Sequence, residues 1–354
     1  MILIIGSGIS GLFTGYELLK KGCKFVILEK NEKIGGKIDT IKQDNVMIEG
    51  GPSVINENQE TIITLCKELN ISLAYTTSKF FSYSKNIDIK NLKKKDGKVE
   101  DILTNEDIPT FYENKDMIYN DWLSSIRNEG KYMYLKKGFL HLVKKLYKIL
   151  KPYIFRGTLI KIYNGQSSTL PVMVDIKGFD DNLKRFTFYK IILCTTMKQL
   201  YSTEFEKRLL PKIPYTKSIQ SLRVYVVLDK EASVLNSVFS QYNIVYNKEF
   251  GLTIKISEYI ILLIYTDNIH AVEMSKEHNI KRAMKFYKID NNVKQIKTFF
   301  YKDAFDVLIC EKDINFKLEN RIFQSAFPDR KNQCWLEGNL IQCKKIVENI
   351  ILGI

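Results

Sequence analysis

The stretch that decides the fold is MILIIGSGISGLFTGYELLKKGCKFVILEK, at residues 1–30. It opens with an apolar run at Ile2–Ile5, which is typical of a strand buried on both faces. Three glycines in GxGxxG spacing follow, and the apolar residues of Gly11–Lys21 then recur with helical spacing. A second apolar run at Phe25–Leu28 predicts another strand. The stretch therefore predicts a strand–helix–strand unit with glycines in its first turn.

These glycines favour a phosphate-binding turn. A diphosphate needs backbone N–H groups at close range and the positive end of a helix dipole. Side chains at the first two glycines would block that approach, and the third glycine lets the helix pack against the strand. Glu29 ends the second strand, where an acid accepts hydrogen bonds from ribose hydroxyls. We therefore predict a dinucleotide site whose contacts in this unit are Gly6, Gly8, Ser10, Gly11, Glu29 and Lys30.

Length and composition bound the rest of the chain. It has 354 residues, of which 45% are hydrophobic and 27% charged, which suits one large or two medium domains. The densest apolar run, Tyr259–Tyr265, is far shorter than the roughly 18 residues of a membrane span. A secretory leader is not expected, because the first strand already begins at Met1. We expect a cytoplasmic, intracellular protein, with a virion as the alternative location.

Cysteines and histidines do not suggest a metal site. The six cysteines show no CxxC spacing, and the three histidines are distant from them in sequence. We expect reduced cysteines and no bound metal.

The net charge of +14 leaves nucleic acid open as a partner. The lysines are spread along the whole chain, however, and the compact run Lys93–Lys95 is typical of a solvated turn. No motif supports nucleic-acid binding, so we do not expect it.

Hydrophobic patterns beyond the first unit alternate between helix and strand. Helices are predicted at 57–69, 138–150 and 338–352. Strands are predicted at 155–163, 172–177, 186–189, 191–195, 219–228, 252–256, 259–265 and 296–301. Residues 79–128 are predicted to be irregular. The pattern indicates a Rossmann-like beginning and end with other material inserted between them.

Two further glycine pairs carry a family resemblance. The segments KNEKIGGKIDT (30–40) and VMIEGGPSVI (46–55) resemble the flavin-containing amine oxidase superfamily, which includes monoamine, polyamine and L-amino-acid oxidases and protoporphyrinogen oxidase. The family usually has arginine where this chain has Lys37, which keeps a positive charge near the phosphates. The resemblance implies FAD as the cofactor. The contacts that it implies in these loops are Gly36, Lys37, Gly50, Gly51, Pro52 and Ser53.

Later segments continue the resemblance. YMYLKKGFLHLVKKL (132–146) is similar to the family's entry to a helix, with Lys137 in place of one glycine. RGTLIKIY (156–163) resembles the strand at the adenine side of FAD, which implies a backbone contact at Leu159. KIILCTT (190–196) resembles a strand that ends at the cofactor, which implies that Thr195 is nearby.

The C-terminal signature resembles the family's segment at the isoalloxazine ring. In NQCWLEGNL (332–340), the match implies that Trp335 faces the substrate side of the flavin. It also implies that Gly338 and Asn339 supply amides at a helix N-terminus, whose dipole stabilises negative charge on the reduced ring.

The chain departs from the family at three places. Ser325 stands where the family has an acid that binds FAD, and Arg223 stands where many members have a lysine near flavin N5. Arginine keeps the charge but does not give up its proton. No glycine occurs between 251 and 338, so the loop that supplies a second cage aromatic has no clear counterpart. Tyr301 and Phe305 are the candidates for that aromatic.

The resemblance implies an α/β fold with two domains. An FAD-binding, Rossmann-like domain of the GR2 type would comprise residues 1–70, 131–212 and 320–354. An inserted α+β substrate domain with a mixed sheet would comprise residues 71–130 and 213–319.

The implied function is FAD-dependent oxidation. Hydride would pass from a C–N or C–C bond of a small, amine-like substrate to flavin N5, and the electrons would go to O2 or another acceptor. Trp335 and Arg223 are the predicted catalytic residues. A degenerate FAD-binding or structural protein is the alternative. An NAD(P)-dependent reductase is a third interpretation, but it leaves the two later glycine pairs unexplained.

Overall fold

A computed structural model describes most of the chain. The described residues are 1–76, 80–82, 93, 95–96, 131–163, 170–196, 204–205, 216–229, 239, 244–247, 249–267, 270–308, 317–319, 321–325, 332 and 335–353. Most of the segment that was predicted to be irregular, 79–128, lies outside them. The helices within them are α1 Ile9–Lys20, α2 Glu60–Glu68, α3 Phe139–Leu150, α4 Ala271–Met274, α5 Glu277–Phe286 and α6 Leu336–Leu352.

A mostly parallel sheet forms the centre of the first half of the fold. Its strands are β1 Ile2–Ile5, β2 Phe25–Glu29, β9 Ile154–Arg156, β13 Lys190–Leu193, β20 Lys317–Glu319 and β21 Ile322–Gln324. They lie in the order β20–β21–β13–β1–β2–β9. Four of the pairings are parallel, and β20 runs antiparallel to β21. Three separate parts of the chain thus build one sheet.

A second sheet of six strands is mainly antiparallel. Its strands are β7 Phe80–Ser82, β15 Thr216–Leu228, β16 Ile244–Asn247, β17 Gly251–Lys255, β18 Ile260–Thr266 and β19 Val293–Leu308. They lie in the order β19–β15–β18–β17–β16–β7, and β7 pairs with β16 in parallel. This is the mixed sheet that the sequence predicted in the inserted region.

Smaller sheets complete the fold. A four-stranded sheet contains β10 Thr158–Tyr163, β11 Val172–Lys177, β12 Leu183–Phe188 and β14 Glu204–Phe205. A hairpin contains β3 Thr40–Gln43 and β4 Val46–Glu49. A three-stranded sheet contains β5 Ile55–Asn56, β6 Leu73–Thr76 and β8 Tyr132–Leu135.

The parallel sheet is buried on both faces, which explains its continuous apolar runs. On one face Ile4 and Ile27 pack in a cluster with side chains of α1, α2, α3 and α6, including Leu12. On the other face Leu3 packs with residues of β10 and β11, including Val174. The result is a layer of helices, a parallel sheet and an antiparallel sheet.

The second sheet also has two different faces. Alternate residues of β15, such as Val224, pack with α4 and α5. The intervening residue Tyr225 packs with Ile48 of the β3–β4 hairpin and with Phe299. This face therefore turns toward the loops that carry the glycine pairs.

The α/β architecture is confirmed, and the element boundaries differ in detail. The segment 155–163, predicted as one strand, is two strands in different sheets, because Gly157 separates β9 from β10. Strand β19 extends well beyond the predicted 296–301, and α4 and α5 were not predicted. In the described part of the chain, every helix is too short or too polar to cross a bilayer.

Candidate functional site

The first turn brings a helix close against the end of β1. Gly6 has a φ of 97°, in the region that favours glycine. A Cβ on Gly11 would lie 1.9 Å from the carbonyl oxygen of Gly6, which no side chain could tolerate. Gly8 precedes the first residue of α1, so the free amides of this helix N-terminus face the turn. The helix starts at Ile9 rather than at Gly11, and Ser10 lies in its first turn.

Glu29 is buried and bound to the same turn. One carboxylate oxygen of Glu29 accepts hydrogen bonds from the backbone N–H and the hydroxyl of Ser7, both at 2.7 Å. The other accepts the N–H of Asn31 at 2.7 Å. The acid thus connects β2 to the glycine turn, and ribose binding by Glu29 stays a prediction. Lys30 follows it with an exposed side chain.

The second glycine pair lies directly on the first turn. The N–H of Gly35 donates to the carbonyl of Ser7 at 2.9 Å. A Cβ on Gly36 would lie 3.2 Å from the Cα of Gly8, and Gly36 has a φ of 61°. The two loops therefore form one backbone-lined surface, from which side chains are excluded.

Lys37 points away from this surface. Its ammonium group donates to the backbone carbonyls of Asp303 and Ala304 on β19. Burial lowers the pKa of Lys37, and the carboxylates of Asp306 and Asp303 partly oppose that shift. In this structure the charge of Lys37 connects the loop to the second sheet, so its contact with phosphates stays a prediction.

The third glycine pair lies under the second sheet. A Cβ on Gly50 would lie 2.4 Å from the ring of Phe299, and a Cβ on Gly51 would lie 2.7 Å from the carbonyl of Lys37. Pro52 and Ser53 continue this loop with half-buried side chains. Only glycine fits at positions 50 and 51, because the loop is enclosed between the ring of Phe299 and the backbone of Lys37.

Glu49 connects this loop to a helix. Its carboxylate accepts the N–H of Phe139, the first residue of α3, at 2.9 Å and the hydroxyl of Thr40 at 2.7 Å. Burial raises the pKa of Glu49 to about 7, although these hydrogen bonds and the charge of Arg223 oppose the shift. Glu49 thus caps α3 from a distant part of the sequence.

Arg223 is buried where the second sheet contacts the loop of the third glycine pair. Its guanidinium donates to the hydroxyl of Ser221 at 2.7 Å and lies 3.4 Å from the carbonyl oxygen of Gly50. It also stacks over the ring of Tyr265 at 4.4 Å. Desolvation lowers the pKa of Arg223, but Tyr265 and Asp267 more than offset this effect, so the pKa is raised. Its Nε atom is buried and has no hydrogen-bond partner among the described residues. Arg223 is therefore not a surface cation.

The carboxyl edge of the parallel sheet carries small polar side chains. Thr195 follows β13, and its methyl group lies 3.3 Å from the Cβ position of Gly6. The hydroxyls of Thr195 and Thr196 are buried and have no partner among the described residues. Ser325 follows β21, and its hydroxyl donates to the carbonyl of Leu193 at 3.2 Å. Ser325 is therefore bound within the sheet.

Trp335 lies at the N-terminus of α6. Its indole stacks on Tyr132 with ring centroids 6.3 Å apart and an interplanar angle of 14°. Because α6 begins at Leu336, the amide of Gly338 lies in the first turn. The amide of Asn339 has Trp335 as its ordinary helical acceptor, so we expect Gly338 rather than Asn339 to offer a free N–H.

Leu159 lies on β10, whose start is connected to Glu29. The N–H of Gly157 donates to the carbonyl of Glu29 at 3.0 Å, and Leu159 is two residues further along β10. Arg156 ends β9 beside Glu29, and one of its guanidinium nitrogens is buried without a partner among the described residues. The contact of Leu159 with adenine stays a prediction.

Several residues of this region were not predicted from the sequence. Tyr132, Tyr225 and Tyr265 contact the predicted site residues only through the fold. The two candidates for a cage aromatic lie on β19, where Tyr301 packs with Tyr225 and Phe299, and Phe305 pairs with Ile219. Nothing in the local sequence around these aromatics distinguishes them from core residues.

The described residues contain no group of three or more His, Cys, Asp or Glu side chains that could hold a metal ion. The site is thus an extended backbone-lined surface, with the N-terminus of α1 at one end and Arg223 near the other. Such a surface can hold a long anionic ligand and exclude water from one end of it.

Comparison with known proteins shows a resemblance to one family. The family model described as flavin containing amine oxidoreductase matches residues 9–155. L-amino acid oxidase of Cerastes cerastes is 30% identical over 105 residues, which are 28% of this chain and 19% of that protein. Flavin-containing amine oxidase B of Rattus norvegicus is 34% identical over 71 residues, which are 20% of this chain and 14% of that protein. These matches therefore span less than a fifth of the relatives' own length.

Solved structures resemble the whole fold. A redesigned triple mutant of putrescine oxidase matches with a TM-score of 0.75 and 11% identity, over 99% of this chain and 98% of that one. A protein assigned as a protoporphyrinogen oxidase from Exiguobacterium sp. 255-15 matches with a TM-score of 0.73 and 14% identity, over 100% of this chain and 99% of that one. At these identities the likeness shows the fold.

The matching family is described as flavin-containing, which implies FAD as the cofactor, and the residues present fit FAD. The turn at Gly6 and Gly8 offers backbone amides that no side chain covers. The buried hydroxyls of Thr195 and Thr196 lack protein partners at the same edge of the sheet. These groups match the donors that a diphosphate and a ribityl chain require.

Proposed function

Because this chain is a divergent relative of the flavin-containing amine oxidase superfamily, we propose that it is an FAD-dependent oxidoreductase acting on a small, amine-like substrate. When bound, the flavin would supply the redox chemistry by accepting a hydride from a C–N or C–C bond. The protein would bind and orient the flavin and the substrate, and it would tune the reactivity of the flavin. O2 or another acceptor would take the electrons.

The burial of Arg223 carries this proposal. A guanidinium in a low-dielectric site, 3.4 Å from the carbonyl of Gly50, is a strong fixed positive charge. Its unpartnered Nε favours an additional acceptor beside it. A charge of this kind stabilises negative charge that develops on a neighbouring ligand. In this proposal Arg223 stabilises charge and does not transfer a proton.

Trp335 and Tyr132 would form one wall of the substrate pocket. Their stacked rings lie at the N-terminus of α6, whose dipole favours negative charge. Glu337, the second residue of this helix, accepts the N–H groups of Thr61 and Ile62 at 2.8 and 2.9 Å. These bonds fix the position of α6 against α2, so the pocket wall would be rigid.

The division into domains belongs to the same proposal. Residues 1–70, 131–212 and 320–354 would form the FAD-binding domain, because these segments supply five of the six strands of the parallel sheet, all except β20. Residues 71–130 and 213–319 would form the substrate domain around the second sheet. The hydroxyl of Tyr225 donates to the carbonyl of Glu49 at 2.8 Å and supports a fixed contact between them.

The absorbance spectrum of the purified protein tests the cofactor, and substrate reduction tests the activity. We expect flavin bands that acid precipitation releases into the supernatant, and anaerobic bleaching of these bands by an amine. The variant Arg223→Met should retain the bands and lose most of the bleaching rate, about 100-fold by the usual value of one oriented charge. Arg282→Met, which removes an exposed arginine on α5, should bleach like the wild type. A colourless protein that does not take up FAD would overturn the proposal.

A catalytically inactive FAD-binding protein is a second candidate. It is favoured by Ser325, whose hydroxyl is bound to Leu193 inside the sheet where the family has an acid. This candidate predicts flavin bands that no primary, secondary or polyamine bleaches. It also predicts an Arg223→Met variant that differs from the wild type only in stability.

A further inference from the structure

One long segment of the chain contains no acidic residue. Residues 130–174 hold eight lysines and one arginine but no Asp or Glu, so they contribute nine of the net fourteen positive charges. The lysines are spread along the whole chain, but the acidic residues are not. The net positive charge is therefore concentrated in this segment, and the structure shows which surface carries it.

Helix α3 lies in this segment and divides it by face. Its inner face, with Phe139, Leu142 and Val143 fully buried, packs into the core under the glycine loops. Its outer face carries His141, Lys144, Lys148 and then Lys151 in the following turn, at spacings of three, four and three. Residues at this spacing lie one above another on a helix, so the cations form a straight row. We call these four residues the basic row.

The lysines of the basic row make no ion pair with any residue that the structure describes. Helix α5 differs, because its Lys281 pairs with Glu277 at 2.7 Å. The proximity of the cations is visible in His141, whose pKa is lowered by burial and then by Lys137, Lys145 and Lys144. Unpaired like charges on one face are unfavourable unless a ligand neutralises them.

The spacing of the row suits a polyanion with regularly repeated charges. Lys144 and Lys148 are four residues apart and Lys148 and Lys151 three, which at about 1.5 Å per residue is roughly 4.5–6 Å along the axis. This is close to the separation of neighbouring phosphates on one nucleic-acid strand. An anionic membrane fits less well, because the apolar side of α3 is already buried in the core and is not available for insertion.

We propose that the outer face of α3 binds the phosphate backbone of nucleic acid. The contact is electrostatic and does not depend on base sequence, since lysine side chains reach phosphates and no base-reading residue is required. It is separate from the FAD site, because the basic row points away from the core that supports the glycine loops.

Fluorescence anisotropy with a labelled 20-base-pair duplex of mixed sequence tests this proposal across a salt series. We expect the triple variant K144Q/K148Q/K151Q to bind about tenfold more weakly than wild type at 0.1 M salt. The slope of log K against log salt should fall by about 2–3, because each lost phosphate contact removes about 0.9. The matched control K276Q/K281Q/K285Q removes three lysines of the α4–α5 region and should change binding less than twofold.

Three results would overturn the proposal. The first is a wild type that does not bind the duplex at 50 mM salt. The second is an equal loss of affinity in the two triple variants. The third is binding of anionic vesicles, but not of the duplex, to the basic row. The flavin spectrum of each triple variant is recorded as well. A normal spectrum with weakened duplex binding separates this proposal from the proposed function, which does not involve the basic row.

Discussion

At the residue scale, Gly11 has the shortest Cβ approach of the glycines that the structure describes. The distance of 1.9 Å between its Cβ position and the oxygen of Gly6 leaves no room for a methyl group. We expect Gly11→Ala to lower the free energy of unfolding by about 3 kcal/mol and to abolish flavin binding. Urea unfolding and flavin content measure both effects.

Gly22→Ala is the matched control. Gly22 has a φ of 68°, but its Cβ position has no neighbour within 4 Å. This variant should cost only about 1 kcal/mol, from backbone strain alone, and should keep its flavin. Gly11 itself has a helical backbone conformation, so equal losses in the two variants would show that the close approach does not set the cost at Gly11.

Glu49 gives a second prediction at this scale, in the pH dependence of stability. Its pKa is about 7 in the folded protein and near 4.5 when unperturbed, so the protonated form favours folding. The resulting stability is present below about pH 4.5 and is lost as the pH rises through 7. Between pH 5 and pH 8 we expect a loss of about 2–3 kcal/mol.

The variant Glu49→Gln should lack this loss. Its amide oxygen can still accept the N–H of Phe139, so α3 remains capped while the titration is removed. Urea unfolding at pH 5 and pH 8 compares the two proteins. If the difference between wild type and variant is the same at both pH values, Glu49 is not the titrating group.

At the scale of the element, two helices begin at carboxylates from distant parts of the chain. Glu337 accepts two amides of α2, as Glu49 accepts one of α3. We expect Glu337→Ala to destabilise the protein by about 2 kcal/mol, because two buried N–H groups lose their acceptor. Glu348→Ala, an exposed position on the same helix, should change stability by less than 0.5 kcal/mol. Thermal or urea unfolding of the two variants shows whether Glu337 caps α2 or acts only as a surface charge.

Elements with local causes could be predicted from the sequence. The glycine spacing and the apolar runs were enough to predict β1, α1 and β2, because turn chemistry and burial act within a few residues. The break at Gly157 was missed, since it depends on strands pairing with two different sheets. The site was predicted less completely for the same reason. The capping by Glu49 and the stacking of Arg223 on Tyr265 arise from contacts between residues more than 40 positions apart.

At the scale of the whole molecule, buried polar contacts connect the second sheet to the glycine loops. The hydroxyl of Tyr225 donates to Glu49 at the end of the β3–β4 hairpin, and the ammonium of Lys37 donates to Asp303 of β19. Burial raises the pKa of Tyr225 to about 12, so this hydroxyl stays a donor at all ordinary pH values. We expect the sheets to unfold in a single calorimetric transition, which FAD at 100 times its Kd should stabilise by about 2.7 kcal/mol. Two separate transitions, with FAD raising only one, would contradict this expectation.

The parallel sheet also imposes an order in time during synthesis. Strand β1 is near the first residue, whereas its sheet is completed by β21 at 322–324 and covered by α6 at 336–352. A ribosome adds roughly 5–20 residues per second, so the earliest strands wait on the order of 15–60 s for the last one. During that interval the apolar surface of α1 that later faces α6 is bare. The nascent chain should therefore depend on chaperones, and we expect it to bind its cofactor only after α6 has left the ribosome.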